Sequence, residues 1–170
     1  MDTYLALVSK REVRAYDDRP IPDDAIRRIL EAGRLAGSSR NRQNRRFVVL
    51  RDAGLTMRLA DALFSPTNLH GAALVVVVLV RGKGPVAFDA GRAAQNMMLA
   101  ASNEGIGSCP NGVGNAELLA EVVGHGPDED AAIVLAFGYP ASPRDPESRS
   151  PQEWIDAADR RPFDDVVEYL

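Results

Sequence analysis

The chain has 170 residues, 45% of them hydrophobic and 26% charged, with a net charge of −4. That length predicts one domain spanning residues 1–170. The composition excludes wholesale disorder, and the acidic balance argues against general affinity for nucleic acid. The longest apolar run is too short to span a bilayer, the single cysteine excludes an intramolecular disulfide, and the first residues lack the charged and apolar regions of a signal peptide, so a cytoplasmic protein with no membrane partner is expected.

In chain order, Leu5, Leu7 and Val8 predict a short opening helix, followed by the basic stretch Lys10-Arg11-Glu12-Val13-Arg14-Ala15-Tyr16. A connector with Pro20 and Pro22 leads to a helix starting at Asp23-Asp24. Its first-turn acids suit the helix dipole, Ala25, Ile26, Ile29, Leu30 and Gly33 share one face, and Gly37 is its stop. A second polar stretch, Ser38-Ser39-Arg40-Asn41-Arg42-Gln43, reads as a loop running into a strand at 47–51. Residues 55–63 read as a helix, and Ser65 to Asn68 as a turn. The run 72–80 predicts a buried strand, because Val75 to Val78 are β-branched and nothing polar interrupts them. Asp89 is expected to cap a helix that continues to Asn103 and stops at Gly105; its small and apolar interior marks it as buried. Residues 106–114 read as a loop punctuated by glycine and proline. Asn115 caps a helix to Val123, 131–137 is another buried strand, and a proline-rich, charged segment at 141–151 precedes a short helix near Trp154. Three strands among about five helices imply a layered α/β or α+β domain, and the absence of strict alternation disfavours a plain doubly wound sheet.

Charge is unevenly placed. Residues 1–60 hold 13 Lys and Arg against 8 Asp and Glu, whereas residues 61–170 hold 7 against 16. A basic region in an acidic chain points to an anionic ligand. Other chemistries lack their residues. His70 and His125 have no ligand partners at metal spacing, no nucleophile elbow occurs, and Gly105-Ile106-Gly107 follows a helix rather than a strand. Cys109, beside Gly107 and Pro110, reads as a packing residue. The two polar stretches therefore form the best candidate site. Guanidinium groups suit a phosphate, and Arg11 and Arg14, three apart, converge if that turn is helical. The small hydroxyls and amides of the second stretch suit the edge of a flat heterocycle.

These stretches resemble the opening of the nitroreductase family, the FMN-dependent NAD(P)H oxidoreductases, whose members carry a pattern near R-R-S-x-R-x-F, then a helix, then x-x-N-x-Q-P-W-x-F. Residues 10–16 and 36–47 match it at the right spacing, and further likenesses follow in order: 89–101 to the long central helix, 105–109 after it, Gly138-Tyr139-Pro140, and Arg160-Arg161-Pro162-Phe163 near the end. The resemblance implies an α+β, three-layer α-β-α sandwich with a mixed central sheet, and a homodimer with FMN at the subunit interface. It implies that Lys10, Arg11, Arg14 and Arg160 hold the phosphate and ribityl chain, with a cation near the pyrimidine end of the ring favouring reduced flavin. Ser38, Ser39, Asn41 and Gln43 would meet the ring held mainly by the other subunit, and Pro110, Asn111 and Gly112 would face flavin N5. The implied reaction is ping-pong hydride transfer from NADH or NADPH to a small-molecule acceptor, a nitroaromatic or quinone, with no catalytic side chain and no metal.

Departures from the pattern are Glu12 for serine, Gly37 for proline, and Asn44-Arg45 for Pro-Trp, which makes that stretch more basic and is expected to make it less rigid. Asn68 is a weak stand-in for a further flavin contact. They leave open a non-catalytic flavin-binding dimer, or a same-fold enzyme with other chemistry, a dehydrogenase or a flavin-fragmenting dimethylbenzimidazole synthase.

Overall fold

A computed structural model describes residues 2–170. They divide into two compact units, one of residues 12–144 and one of residues 2–11 with 145–170.

The larger unit is built on the strand whose sequence is apolar throughout. Strand β2 (Leu74–Arg81) lies between β1 (Arg45–Leu50) and β4 (Glu129–Gly138), and β3 (Gly107–Asn111) pairs with the far side of β4, giving the order β1-β2-β4-β3. Successive strand side chains point to opposite faces. Leu74, Val76 and Val78 therefore enter one core with Ile29, Met97 and Phe137, while Val75, Val77 and Leu79 enter a second with Leu59, Leu119 and Val134. Both faces of β2 are buried, which is why it needs no polar alternation. Helices α2 (Asp23–Leu35) and α4 (Val86–Asn103) cover the first face; α3 (Ala53–Ala60) and α5 (Ala116–Val123) cover the second. This is the expected α+β, three-layer α-β-α arrangement. The apolar face of α2 is the one read from sequence: Ala25, Ile26, Ile29 and Gly33 are buried, and Gly33 lies so close to Met97 of α4 that a Cβ there would meet its side chain at 2.8 Å.

Three details differ from the sequence reading. All three strand pairings are antiparallel, not mixed, because α3 and the turn after it return the chain beside β1 in the opposite sense, and β3 leaves α4 to run against β4. Residues 107–111, read as a loop, form β3. An edge strand tolerates Pro110, which has no N–H to donate. Helix α4 begins at Val86, a turn before Asp89, whose carboxylate is engaged elsewhere.

The smaller unit joins α1 (Thr3–Ser9) to α6 (Pro151–Asp156) around Trp154. The indole is buried, donates from Nε1 to Pro146 O at 2.8 Å, and is flanked by the guanidinium groups of Arg11 and Arg149, 5.6 and 5.0 Å from the ring centre. Ser150 and Glu153 form a reciprocal capping box at the start of α6. No described helix is long and apolar enough to cross a membrane.

Candidate functional site

In the smaller unit, α1 ends at Ser9 and the chain leaves it extended at Lys10, so helical spacing does not apply to Arg11 and Arg14. Arg11 turns back on its own unit and donates to Val8 O at 2.7 Å, Lys10 O at 3.0 Å and Trp154 O at 2.8 Å. Lys10 is half-buried at the helix end, and Arg160 is exposed, donating to Ala158 O at 2.8 Å.

In the larger unit, the segment after Glu12 runs along the sheet. Val13 N–H donates to Ser108 O at 3.0 Å, Asp17 N–H to Tyr139 O at 2.9 Å, and Ala141 N–H to Ala15 O at 3.0 Å. Gly107 and Gly138 permit this approach, since a Cβ on either would sit 2.7 Å from Val13 or Tyr16. The Tyr16 hydroxyl donates to Val13 O at 2.7 Å; burial, reinforced by nearby Cys109 and Glu12, pushes its pKa well above the ordinary phenol value, so it stays a donor. Arg14 is exposed on this corner, beside β3. At the other end of β3, the buried Asn111 amide donates to Cys109 O and Val134 O at 3.2 and 3.4 Å, Pro110 is half-buried, and Gly112 is exposed. Gly112 O accepts from Phe64 N–H at 3.1 Å, and the chain from Phe64 leads directly into the turn that carries Asn68. Asn68 is 2% exposed, yet its Nδ2 has no acceptor among the described residues. A buried amide donor without a partner costs stability unless something satisfies it. Asn68 thus has a stronger claim than its sequence context suggested.

The second polar stretch forms a different corner. Ser38 and Ser39 are half-buried, Asn41 and Gln43 exposed. The loop is held from three directions. Ser38 Oγ accepts from Gln43 N–H at 2.9 Å, the buried Asp89 carboxylate on α4 accepts from Ser39 N–H at 3.0 Å, and Arg45 donates to the carbonyls of Ala36, Gly37 and Asp89. Arg40, Asn41 and Gln43 all have φ near +53°, a conformation costly for non-glycine residues and kept only where surroundings fix it. Burial lowers the Arg45 pKa from its ordinary value, with Asp89 opposing and Arg92 assisting, but a guanidinium remains charged. These bonds hold the loop without the proline and tryptophan of the family pattern. Arg45, at the tryptophan position, ties it down with planar donors that reach three carbonyls at once. Sequence reasoning missed this lock because its parts, Asp89 and Arg45, lie 44 residues apart and pair only in the fold.

The two corners are diagonally opposed. β1 and β3 are the outer strands, three strand spacings or about 14 Å apart. Ser108, which holds Val13, lies level with Leu74 through Phe137, whereas Arg45 pairs with Val80, six residues or about 20 Å further along β2.

The sequence profile of the Nitroreductase family matches residues 7–88 and 67–139. The chain belongs to the nitroreductase family. An Archaeoglobus fulgidus protein with the provisional name NADH dehydrogenase/NAD(P)H nitroreductase is 32% identical over 149 residues, covering 82% of this chain and 86% of its own. Among solved structures, a nitroreductase family protein of Clostridium difficile 630 superposes with a TM-score of 0.84 at 22% identity, covering 99% of this chain and 98% of that one. A provisionally named nitroreductase of Desulfovibrio desulfuricans, solved in complex with FMN, superposes with a TM-score of 0.83 at 29% identity, covering 100% of this chain and 98% of that one.

Proposed function

We infer that the protein is an FMN-dependent oxidoreductase that takes electrons from NADH or NADPH and works as a cytoplasmic homodimer, residues 1–170 serving as one FMN-binding domain. Family membership and the FMN-bound relative support the cofactor. The observation that carries the dimer is the diagonal placement of the two corners. Asn111, in the segment assigned to face the ring, lies level with Val77, three residues or about 10 Å along the sheet and about 14 Å across it from Arg45, too far for one chain to close both on one ring. A second copy, related by a two-fold axis, supplies the missing corner twice over.

The residues fit the cofactor. By residue type, Lys10, Arg11, Arg14 and Arg160 are assigned to phosphate and ribityl oxygens, although Arg11 already donates to three carbonyls and offers less than a free guanidinium would. The partnerless amide of Asn68 would donate to a ring carbonyl or nitrogen. Pro110, Asn111 and Gly112 present a strand end whose shape is fixed by the Asn111 amide. From the partner, Ser38, Ser39, Asn41 and Gln43 would border the ring on a loop already locked in place. When bound, FMN supplies hydride chemistry between the nicotinamide donor and an electron-poor acceptor such as a nitroaromatic or quinone. The chain's part is to orient and partly desolvate the ring; no side chain is assigned as proton donor, and solvent serves.

The purified protein, incubated with FMN and freed of excess, should show a flavin absorbance spectrum that bleaches when NADH or NADPH is added without oxygen, and should sediment as a dimer. A protein that stays colourless after FMN treatment defeats the reading. One that is yellow but never bleaches favours the non-catalytic flavin-binding dimer.

A further inference from the structure

Two segments of this acidic chain, residues 32–51 and 62–88, contain no Asp or Glu. The fold brings them together at the second corner. Arg81 N–H donates to Asn44 O at 3.1 Å, and the Arg42 guanidinium donates from one terminal nitrogen to Lys83 O at 3.1 Å. Gly84, at φ +112°, lets Arg42 lie against the backbone, since a Cβ there would stand 2.9 Å from that nitrogen. Arg40, Arg42, Arg81 and Lys83 are exposed, and none forms an ion pair with a described residue. Two acids of this region are occupied: Asp89 accepts from Ser39 N–H, and Glu129 is held by Arg46 at 2.6 Å. Elsewhere in the unit, arginines do find carboxylates, as Arg28 does with both Asp24 and Glu104.

We propose that Arg40, Arg42 and Lys83 form a rim that captures the 2′-phosphate of NADPH and makes it the preferred electron donor. Arg42 spends one N–H on the backbone carbonyl of Lys83 and keeps donors for an anion; Lys83 itself carries an exposed ammonium, and exposed Arg40 lies two residues before Arg42 on the same loop. A phosphate monoester dianion is the ligand that gains most where a guanidinium held on the backbone and an ammonium on the adjoining segment can both reach it. The loop that carries Arg40 and Arg42 also carries Ser38 and Asn41, the proposed ring-edge residues, so a donor stacked there extends its adenosine half over neighbouring surface. The Asp89 and Arg45 lock holds the loop before any ligand arrives. This inference rests on the FMN reading.

KM for NADPH and NADH is measured with FMN-loaded wild type and the double variant Arg42→Ala/Lys83→Ala, and 2′,5′-ADP is titrated calorimetrically into the same samples. Expected are a KM for NADPH about tenfold below that for NADH, a rise of about tenfold in the variant for NADPH alone, and loss of 2′,5′-ADP binding. Equal KM values in the wild type, or an unchanged KM for NADPH in the variant, overturn the proposal. An equal rise for both donors also overturns it, because it assigns the rim to the pyrophosphate both share. A protein that takes up no FMN sinks the functional reading instead, and titration of the flavin-free protein then decides the rim: binding of 2′,5′-ADP that the variant loses supports it, and no binding overturns it.

Discussion

The two corners of the sheet are held by different parts of the chain. At the first, main chain meets main chain: Val13, Ala15 and Asp17 bond along the sheet edge, and Gly107 and Gly138 make room. At the second, side chains hold a loop with three non-glycine residues at positive φ, and the locking groups come from β1 and α4. A corner built from backbone bonds accepts many side chains provided its glycines stay. A corner built from side chains depends on a few of them, and leaves the rest of its loop open to carry ligand chemistry. That difference is how the second stretch can lose the Pro-Trp pair of the family pattern while keeping its Asn and Gln as Asn41 and Gln43.

The comparison breaks most readily at Gly138. A methyl group there would meet the Tyr16 ring at 2.7 Å, and Tyr16 cannot retreat, because its hydroxyl bonds Val13 O and Ala136 O and its backbone bridges Pro140. Gly138→Ala should destabilise the fold by about 2–3 kcal/mol, as overpacking does, read as a lower urea midpoint at unchanged slope. Arg45→Ala comes next. It strips donors from three carbonyls, one on the buried Ala36, and should cost about 1–3 kcal/mol. Its signature is local: the Ser39 amide should exchange with solvent faster, while amides of β3 change little. Arg45→Lys should not rescue it, since an ammonium lacks the planar fork. Asp89→Asn keeps an oxygen for Ser39 N–H and should cost less, about 1 kcal/mol.

What was legible in the sequence follows the same division. Buried strands, the apolar face of α2 and the cap at Asn115 answer to local pattern, and Val75 to Val78 are buried as their β-branching implied. The two polar stretches were found as stretches, but how each is held was not. Edge strand β3 was hidden because glycine and proline mark a loop in sequence, whereas a strand paired on one side tolerates both. Asp89 looked like a cap because an acid near a helix start usually is one, and only the fold shows Ser39 using it instead. Charge, spacing and the family resemblance all point Arg11 at a phosphate; its bonds to Val8, Lys10 and Trp154 are invisible without the turn after α1.

The smallest effect isolates the electrostatics of the second corner. Arg46, next to the locking Arg45, makes a two-pronged ion pair with Glu129 at the start of β4, at 2.9 and 2.6 Å. The hydrogen bonds from Arg46 hold the Glu129 pKa down to about 2, with Gly126 N–H and the charges of Arg46 and His125 adding to the shift and desolvation opposing it. A carboxylate whose pKa is lower folded than unfolded stabilises the fold above its unfolded value, and that contribution disappears as pH falls through its folded one. The window runs from the ordinary value of 4.5 down to about 2. The wild type should therefore lose stability relative to Glu129→Gln across that interval, with a constant difference between pH 5 and 7. Asp17, Asp24 and Glu153 also have lowered pKa values, so only the difference between the two proteins reports on Glu129. If the Ser39 amide exchanges at the wild-type rate in Glu129→Gln, the loop is held by Arg45, Asp89 and Ser38 without help from the ion pair, which then serves the sheet edge only.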